Sequence, residues 1–302
     1  MKKIKSVSHF VAAVANPDET VEHWNLKTYR ELDMDGRETL EIHYQTDGKI
    51  ESKTIAEFNQ KGLLINRITF ISEDEIAENY SYSYNDKGDI AIQEIKYADG
   101  SSSFKKFDHQ KNEINIHIKD DEDDEEGREV LKFDDQENLI EESSWDEDEK
   151  LLSKNLMQYD ENNNLILKEE FGEDEEFLSK THYTFDERGN QIEMLSVTPN
   201  DEIISRRQSI FNEENLVVEE SVDGYTIKYD YEEDGRRIRD EIMDPHNNIE
   251  SFTEYEYNED KILSNTVSCH KGNLMQSAES GSKGGKRAAF ILSNYVYEFY
   301  EE

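Results

Sequence analysis

"MQYDENNNLILKEE", residues 157–170, decides how the rest of the chain is read. A tyrosine and an aspartate open a polar run, three asparagines follow, and Leu165-Ile166-Leu167 closes it. Asp160, Asn162 and Asn164 have the one, three, five spacing with which oxygen ligands begin a calcium loop. The same residues suit the turn of a β-hairpin, where Asp and Asn bond their own backbone and tolerate positive φ. The choice rests on whether the stretch is unique.

It is not unique. The large apolar residue before each Asp- or Asn-rich turn gives a series of anchors: Leu32, Phe58, Tyr84, Phe107, Phe133, Tyr159, Phe185, Phe211, Tyr231 and Tyr257. Their successive gaps are 26, 26, 23, 26, 26, 26, 26, 20 and 26 residues. A fixed period marks a repeat architecture and takes precedence over any single motif. Seven positions after the anchor runs a mostly β-branched column: Thr39, Ile65, Ala91, Ile114, Ile140, Ile166, Ile192, Val218, Ile238 and Ser264. Such residues suit strands. Five positions later stands a bulkier column with Tyr44, Phe70, Trp145, Phe171, Val197, Met243 and Cys269, then a second turn that takes Pro199 and Pro245. Proline cannot donate to a strand ladder, so its place in that turn supports the phase. The two short gaps are expected to be trimmed second turns, between Tyr97 and Phe107 and between Val222 and Tyr231.

Each unit is therefore a strand, a turn, a strand and a turn, repeated about ten times. The expected fold is all-β: β-hairpin repeats forming a long, twisted antiparallel sheet that coils or spirals. Some 20 strands at about 4.8 Å spacing would make a flat sheet about 95 Å wide, and sheets of more than about ten strands curl or split. The expected divisions are an N-terminal cap over 1–24, hairpin repeats over 25–277, and a flexible basic loop with a capping strand over 278–302. Within the cap, "PDETVEHW" has the proline and acidic residues of a first helical turn.

Of the 302 residues only 34% are hydrophobic while 35% are charged, which is too polar for a thick two-layer core. The 16 Tyr, 13 Phe and 2 Trp separate the chain from disordered compositions. A formal charge of −38 argues against binding nucleic acid or anionic lipid through a broad face and favours a basic protein partner. Cys269 is the single cysteine, so no intrachain disulfide forms. The N-terminal run from Phe10 to Ala15 is shorter than the apolar region of a secretory signal, and His9 interrupts its approach. No run reaches the roughly 18 apolar residues of a membrane span. These features favour a cytoplasmic location, with a secreted or cell-surface one left open, and leave the oligomeric state open.

Calcium loops fail on their later positions. "ELDMDGRETLEI" ends in Ile42 where a bidentate Glu belongs, and "DENNNLILKEEF" has Leu165 at the sharp-turn Gly and Phe171 last. With no paired histidine spacing and no serine elbow, no metal, cofactor or catalytic residue is assigned, and the chain is expected not to be an enzyme. The candidate partner-binding residues are the acidic run Asp120, Asp121, Glu122, Asp123, Asp124, Glu125 and Glu126, and the basic island Lys283, Lys286 and Arg287. The bland reading of the acidic run is a solvated, mobile insertion in a turn. That of the island is a flexible loop.

The phrases "YSYNDKGDI", "MQYDENNNLI" and "YTFDERGNQI" resemble the YD repeats of the RHS family. The aromatic, the acid and the turn match at Phe133-Asp134, Tyr159-Asp160 and Phe185-Asp186, whereas Asn follows Phe58, Tyr84, Phe211 and Tyr257. The resemblance implies hairpins wound into a spiral sheet that, in large family members, encloses a toxin domain or serves surface and secreted assemblies. This chain is short for such a shell and shows no toxin domain after its repeats. The function expected is an acidic, non-enzymatic scaffold that binds or encloses a basic protein. The alternative is an immunity-type neutraliser, or a nucleic-acid-mimicking decoy, against a basic toxin or DNA-binding enzyme.

Overall fold

The computed structural model describes residues 2–270 and 290–301. It holds 22 strands, from β1 (Ile4–Val14) to β22 (Phe290–Phe299), and one short 3-10 turn, Glu173–Glu175. The all-β, antiparallel hairpin expectation holds. All strands belong to one sheet. β1 pairs with β2 (Asn25–Leu32) on one side and with β22 on the other. β1 and β22 are therefore neighbours in the sheet, a pairing that an open spiral does not make. Residues 4–14, expected within a cap, are thus a member strand, and 15–24 are turn and bend rather than helix. The closing strand expected near the C-terminus is β22.

The chain divides into two compact units. Unit 1 is Met1–Ile55, Phe70–Asp74 and Ser209–Glu302; unit 2 is Ala56–Thr69 and Glu75–Gln208. In unit 1 the buried apolar residues are Ala12, Val14, Met243, Cys269 and Leu292; in unit 2 they are Ile116, Val130, Met157 and Val197. Small hydroxyl residues are buried beside them, including Ser6 and Thr266 in unit 1 and Ser143 and Thr181 in unit 2. Thr181 and Ser196 bond across strands at 2.8 Å, as do Thr253 and Ser268 at 3.0 Å. Such pairs let a polar chain bury its sheet without stranding donors.

The opening stretch is a turn between β12 (Leu151–Tyr159) and β13 (Leu165–Phe171). The Asp160 amide donates to the Asn164 carbonyl at 3.0 Å, and the Asn163 amide to the Asp160 carbonyl at 3.1 Å. Asp160 Oδ1 accepts the amides of Asn162 and Asn164 at 2.9 Å, and Oδ2 accepts Asn164 Nδ2 at 2.9 Å. Both carboxylate oxygens are committed to N–H donors, which answers the opening question in favour of the turn. The Asn164 carboxamide, then its amide, hold the Asp160 carboxyl below the usual carboxylate range. Asn163 takes φ 62°, and the equivalent residue, four after the anchor, is Gly36, Gly62, Gly88, Glu137, Gly189, Asn215, Gly235 or Lys261, all with positive φ. This is a type I turn followed by a left-handed residue and a bulge.

The bulge explains the second column. Tyr159 lies opposite Leu165 and Gln158 opposite Leu167, so Ile166 is the extra residue. By the same register the extra residues elsewhere are Thr39, Ala91, Ile140, Ile192, Ile238 and Ser264. All are half-buried.

Two details differ from the sequence expectation. Phe107 is not the anchor of its repeat: it pairs with Ile116 inside the ladder, and His109 stands at the turn, paired with Ile114. The missing residues lie in that first turn, where the Gln110 amide reaches Glu113 after a shorter loop without a bulge, and in a missing bulge after Gly100. The second turn at Tyr97 is itself intact, with Gly100 bonded to the Tyr97 carbonyl. The other short gap is a trimmed second turn as expected. Val222 pairs with Tyr225 around Asp223-Gly224, a two-residue hairpin of the favoured Asp-Gly type.

Candidate functional site: the second-turn edge of unit 2

The hairpins turn alternately at two edges, and the edges are finished differently. At the first-turn edge the anchor is a phenylalanine at 58, 133, 185 and 211, and where it is a tyrosine it reaches to the neighbouring strand and donates to the carbonyl just before the bulge residue. Tyr84 bonds Leu64 at 2.5 Å, Tyr159 bonds Leu139 at 2.9 Å, Tyr231 bonds Val217 at 2.7 Å and Tyr257 bonds Arg237 at 2.7 Å. His109 Nε2 does the same to Ile90 at 2.7 Å, which is why a histidine can replace the aromatic anchor. Near the termini, Tyr297 bonds Leu263 on the strand paired with β22, and Tyr300 reaches past β1 to bond Leu32 on β2. A bulge disrupts its ladder locally, and these hydroxyls satisfy carbonyls beside the disruption.

At the second-turn edge the corresponding column is Trp145, Phe171 and Val197, which carry no hydroxyl. Its bulges follow the same rule. Trp145 pairs with Leu151 and Ser144 with Ser153, making Leu152 the extra residue, and Leu178 and Ile204 occupy the equivalent places. These side chains are 44%, 47% and 54% exposed, and Ile203 beside them is 64% exposed. In β10 (Glu125–Phe133) the extra residue is Glu126.

The turns of this edge are acidic at the left-handed position itself. Asp123, Glu149, Glu175 and Asp201 take φ of 67°, 61°, 60° and 62°. Each is met by a cation: Lys119 at 2.9 Å, Arg128 at 2.9 Å, Lys154 at 3.9 Å and Lys180 at 2.8 Å. Arg128, Lys154 and Lys180 are 26 residues apart, as are Glu149, Glu175 and Asp201. That double period is present in the sequence but has no usual turn former, because Glu and Asp stand where Gly or Asn would mark the turn. Lys180 holds the Asp201 carboxyl below its ordinary range, first by the side-chain bond and then by its charge. Arg128 also lies over the Trp145 ring, 3.8 Å from its centre.

The acidic run over 120–126 is an ordinary turn of this series and not an insertion. The Asp120 amide bonds the Asp124 carbonyl at 3.0 Å, and Asp120 Oδ1 accepts the amides of Glu122 and Asp124 at 3.0 and 2.9 Å. Asp123 pairs with Lys119, Glu125 with His117, and Glu126 accepts a bond from the Ser103 hydroxyl. Asp121, Glu122 and Asp124 make no ion pair among the described residues. Nor do Glu147, Asp148, Asp174, Glu176 and Glu202, the exposed acids of the next three turns. The structure thus brings part of the run into a longer row. Lys283, Lys286 and Arg287 lie outside the described residues. Also among the described residues, no three His, Cys, Asp or Glu converge as a metal site would.

The grooves of the surface repeat as the hairpins do. One of about 740 Å³ runs between the turns at 160–166 and 183–189, and one of about 840 Å³ occupies the matching place between 212–218 and 229–235. A groove that recurs at equal repeat positions is a product of the hairpin lattice rather than a single cleft.

No family model matches the sequence, and no curated protein matches it. Among solved structures the chain is similar to TcdB2-TccC3 at 11% identity with a TM-score of 0.38, over 82% of this chain and 16% of that one. The complex TcdB2-TccC3-Cdc42 gives 12% identity and a TM-score of 0.32, over 78% and 16%. The chain spans about a sixth of the length of those proteins. A porin-like protein from Bacteroides uniformis is similar over 98% of both chains, at 9% identity and a TM-score of 0.31. At such TM-scores these likenesses carry no functional argument.

Proposed function

We propose that the chain is a non-enzymatic hairpin-repeat scaffold of RHS type whose second-turn edge in unit 2 binds a basic protein partner. The observation that carries this reading is the pairing of two surface features. Leu152, Leu178, Ile203 and Ile204 are exposed side by side on successive hairpins, and carboxylates without an ion pair stand at the turn beside each of them. Clustered exposed apolar residues with a polar rim mark interaction surfaces. The field of a chain with charge −38 steers a cationic partner toward it.

The test is native capture with the whole chain, comparing it with a variant carrying Glu147→Lys, Asp148→Lys, Glu176→Lys and Glu202→Lys. A basic protein should be held by the parent at low salt and lost by the variant, and it should be released as the Debye length falls below about 10 Å. Capture of the same proteins by both forms overturns the reading.

The regular row of carboxylates also supports the neutraliser reading, in which it stands in for phosphates. In that case the chain competes with DNA for a basic DNA-binding enzyme at low salt. Absence of competition there removes it.

A further inference from the structure

The repeat that builds the second-turn edge also sets its pitch. Leu152, Leu178 and Ile204 are each one hairpin apart. A hairpin is two strands, so their spacing is about 9.6 Å. Beside each stands a cross-strand pair, Trp145–Leu151, Phe171–Phe177 and Val197–Ile203. The Phe171 and Phe177 rings lie 5.4 Å apart. With every pair comes at least one carboxylate free of an ion pair, as at Asp148, Glu176 and Glu202. An apolar ledge and an aliphatic side chain thus recur with one period, and each of the three turns adds an unpaired carboxylate, three residues after the column residue at Asp148 and five after it at Glu176 and Glu202.

Few chain conformations repeat at that distance. A polyproline II helix returns to the same face every three residues, about 9.3 Å. One face of an α-helix recurs after seven residues, about 10.5 Å. Like-facing residues of an extended strand are about 6.6 or 13 Å apart. Across the two intervals from Leu152 to Ile204 the polyproline helix is out of step by about 0.6 Å and the α-helix by about 1.8 Å. The polyproline form is also ordered before it binds, which lowers the entropy lost on an aromatic-lined surface.

We propose that the second-turn edge of unit 2 binds a basic polyproline II segment with a lysine or arginine at every third position. Its prolines rest on the apolar ledge and its cations face the unpaired carboxylates. This rests on the edge being the partner surface.

The experiment measures binding of the full chain to three labelled peptides of equal charge by fluorescence anisotropy. One is built of Pro-Pro-Lys triplets, one has the same residues with all lysines in a single block, and one is an amphipathic Leu-Lys helix. The triplet peptide should bind about tenfold more tightly than either other, and Leu178→Asp should weaken it about tenfold. Because Leu178 packs over Gly172, the surface variant Glu147→Lys with Asp148→Lys serves as the second probe, and it should also weaken the triplet peptide. Equal binding of all three peptides, weakened by the lysine variants, overturns the pitch and leaves the basic-partner reading standing. If none of the three binds, the basic-partner reading falls and takes this proposal with it.

Discussion

The two edges are built from the same turn and the same bulge, yet one is closed and the other is left open. At the first-turn edge, Tyr159 bonds Leu139 and the bulge residue Ile166 is half-buried. At the second-turn edge of unit 2 no hydroxyl does this service, Leu178 is exposed, and acids stand where glycine would be easiest. Backbone geometry alone therefore does not decide what an edge does. The side chains over the bulge decide it: tyrosine and isoleucine finish the sheet, whereas leucine beside unpaired carboxylate presents a surface.

The largest effect should come where the second edge is tightest. Gly127 follows the bulge residue Glu126, and a Cβ there would sit 2.5 Å from the Trp145 carbonyl oxygen at φ 153°. Gly127→Ala forces backbone to move and should cost about 2–3 kcal/mol in urea unfolding. An unchanged midpoint would mean that this edge yields more easily than its register implies.

Tyr159→Phe should cost about 1 kcal/mol, the net worth of a neutral hydrogen bond. Phe133 and Phe185 already occupy the same place in other repeats, so the fold should persist with its midpoint lowered. By contrast, Glu147→Lys with Asp148→Lys on the open edge should move stability by less than about 0.5 kcal/mol while removing binding of a basic partner. If the closed-edge change altered binding and the open-edge change altered stability, the contrast between the edges would be reversed.

Much of this was legible in the sequence. A backbone that needs a positive φ every 26 residues selects Gly or Asn often enough to set a ruler, and the β-branched column is visible in the sequence although its bulge is not. What escaped has physical causes. His109 anchors through a ring N–H, so an apolar pattern points to Phe107 instead. Glu149, Glu175 and Asp201 occupy left-handed turns with cations from Arg128, Lys154 and Lys180 beside them, a solution that uses none of the usual turn formers. The pairing of β1 with β22 is a contact between chain ends, and neither strand carries the turn that marks the repeat.

The smallest effect concerns acid, and it separates the turn from the edge most finely. Hydrogen bonds to the carboxamides of Asn138, Asn164, Asn190 and Asn248 hold Asp134, Asp160, Asp186 and Asp244 below the ordinary carboxylate value of 3.8. A carboxyl depressed in the folded state adds stability that is complete above its unfolded value and is lost as pH falls through the folded one. Urea midpoints should therefore hold from neutral pH to about 4 and decline below it. In Asp160→Asn the new carboxamide oxygen can still accept the two turn amides, as Asn212 does from Glu214 and Leu216. That variant should keep its neutral-pH fold and lose one share of the acid decline. A decline as steep as the parent's would place the acid sensitivity elsewhere, in the ion pairs of the second-turn edge, where Lys180 depresses Asp201 in the same direction.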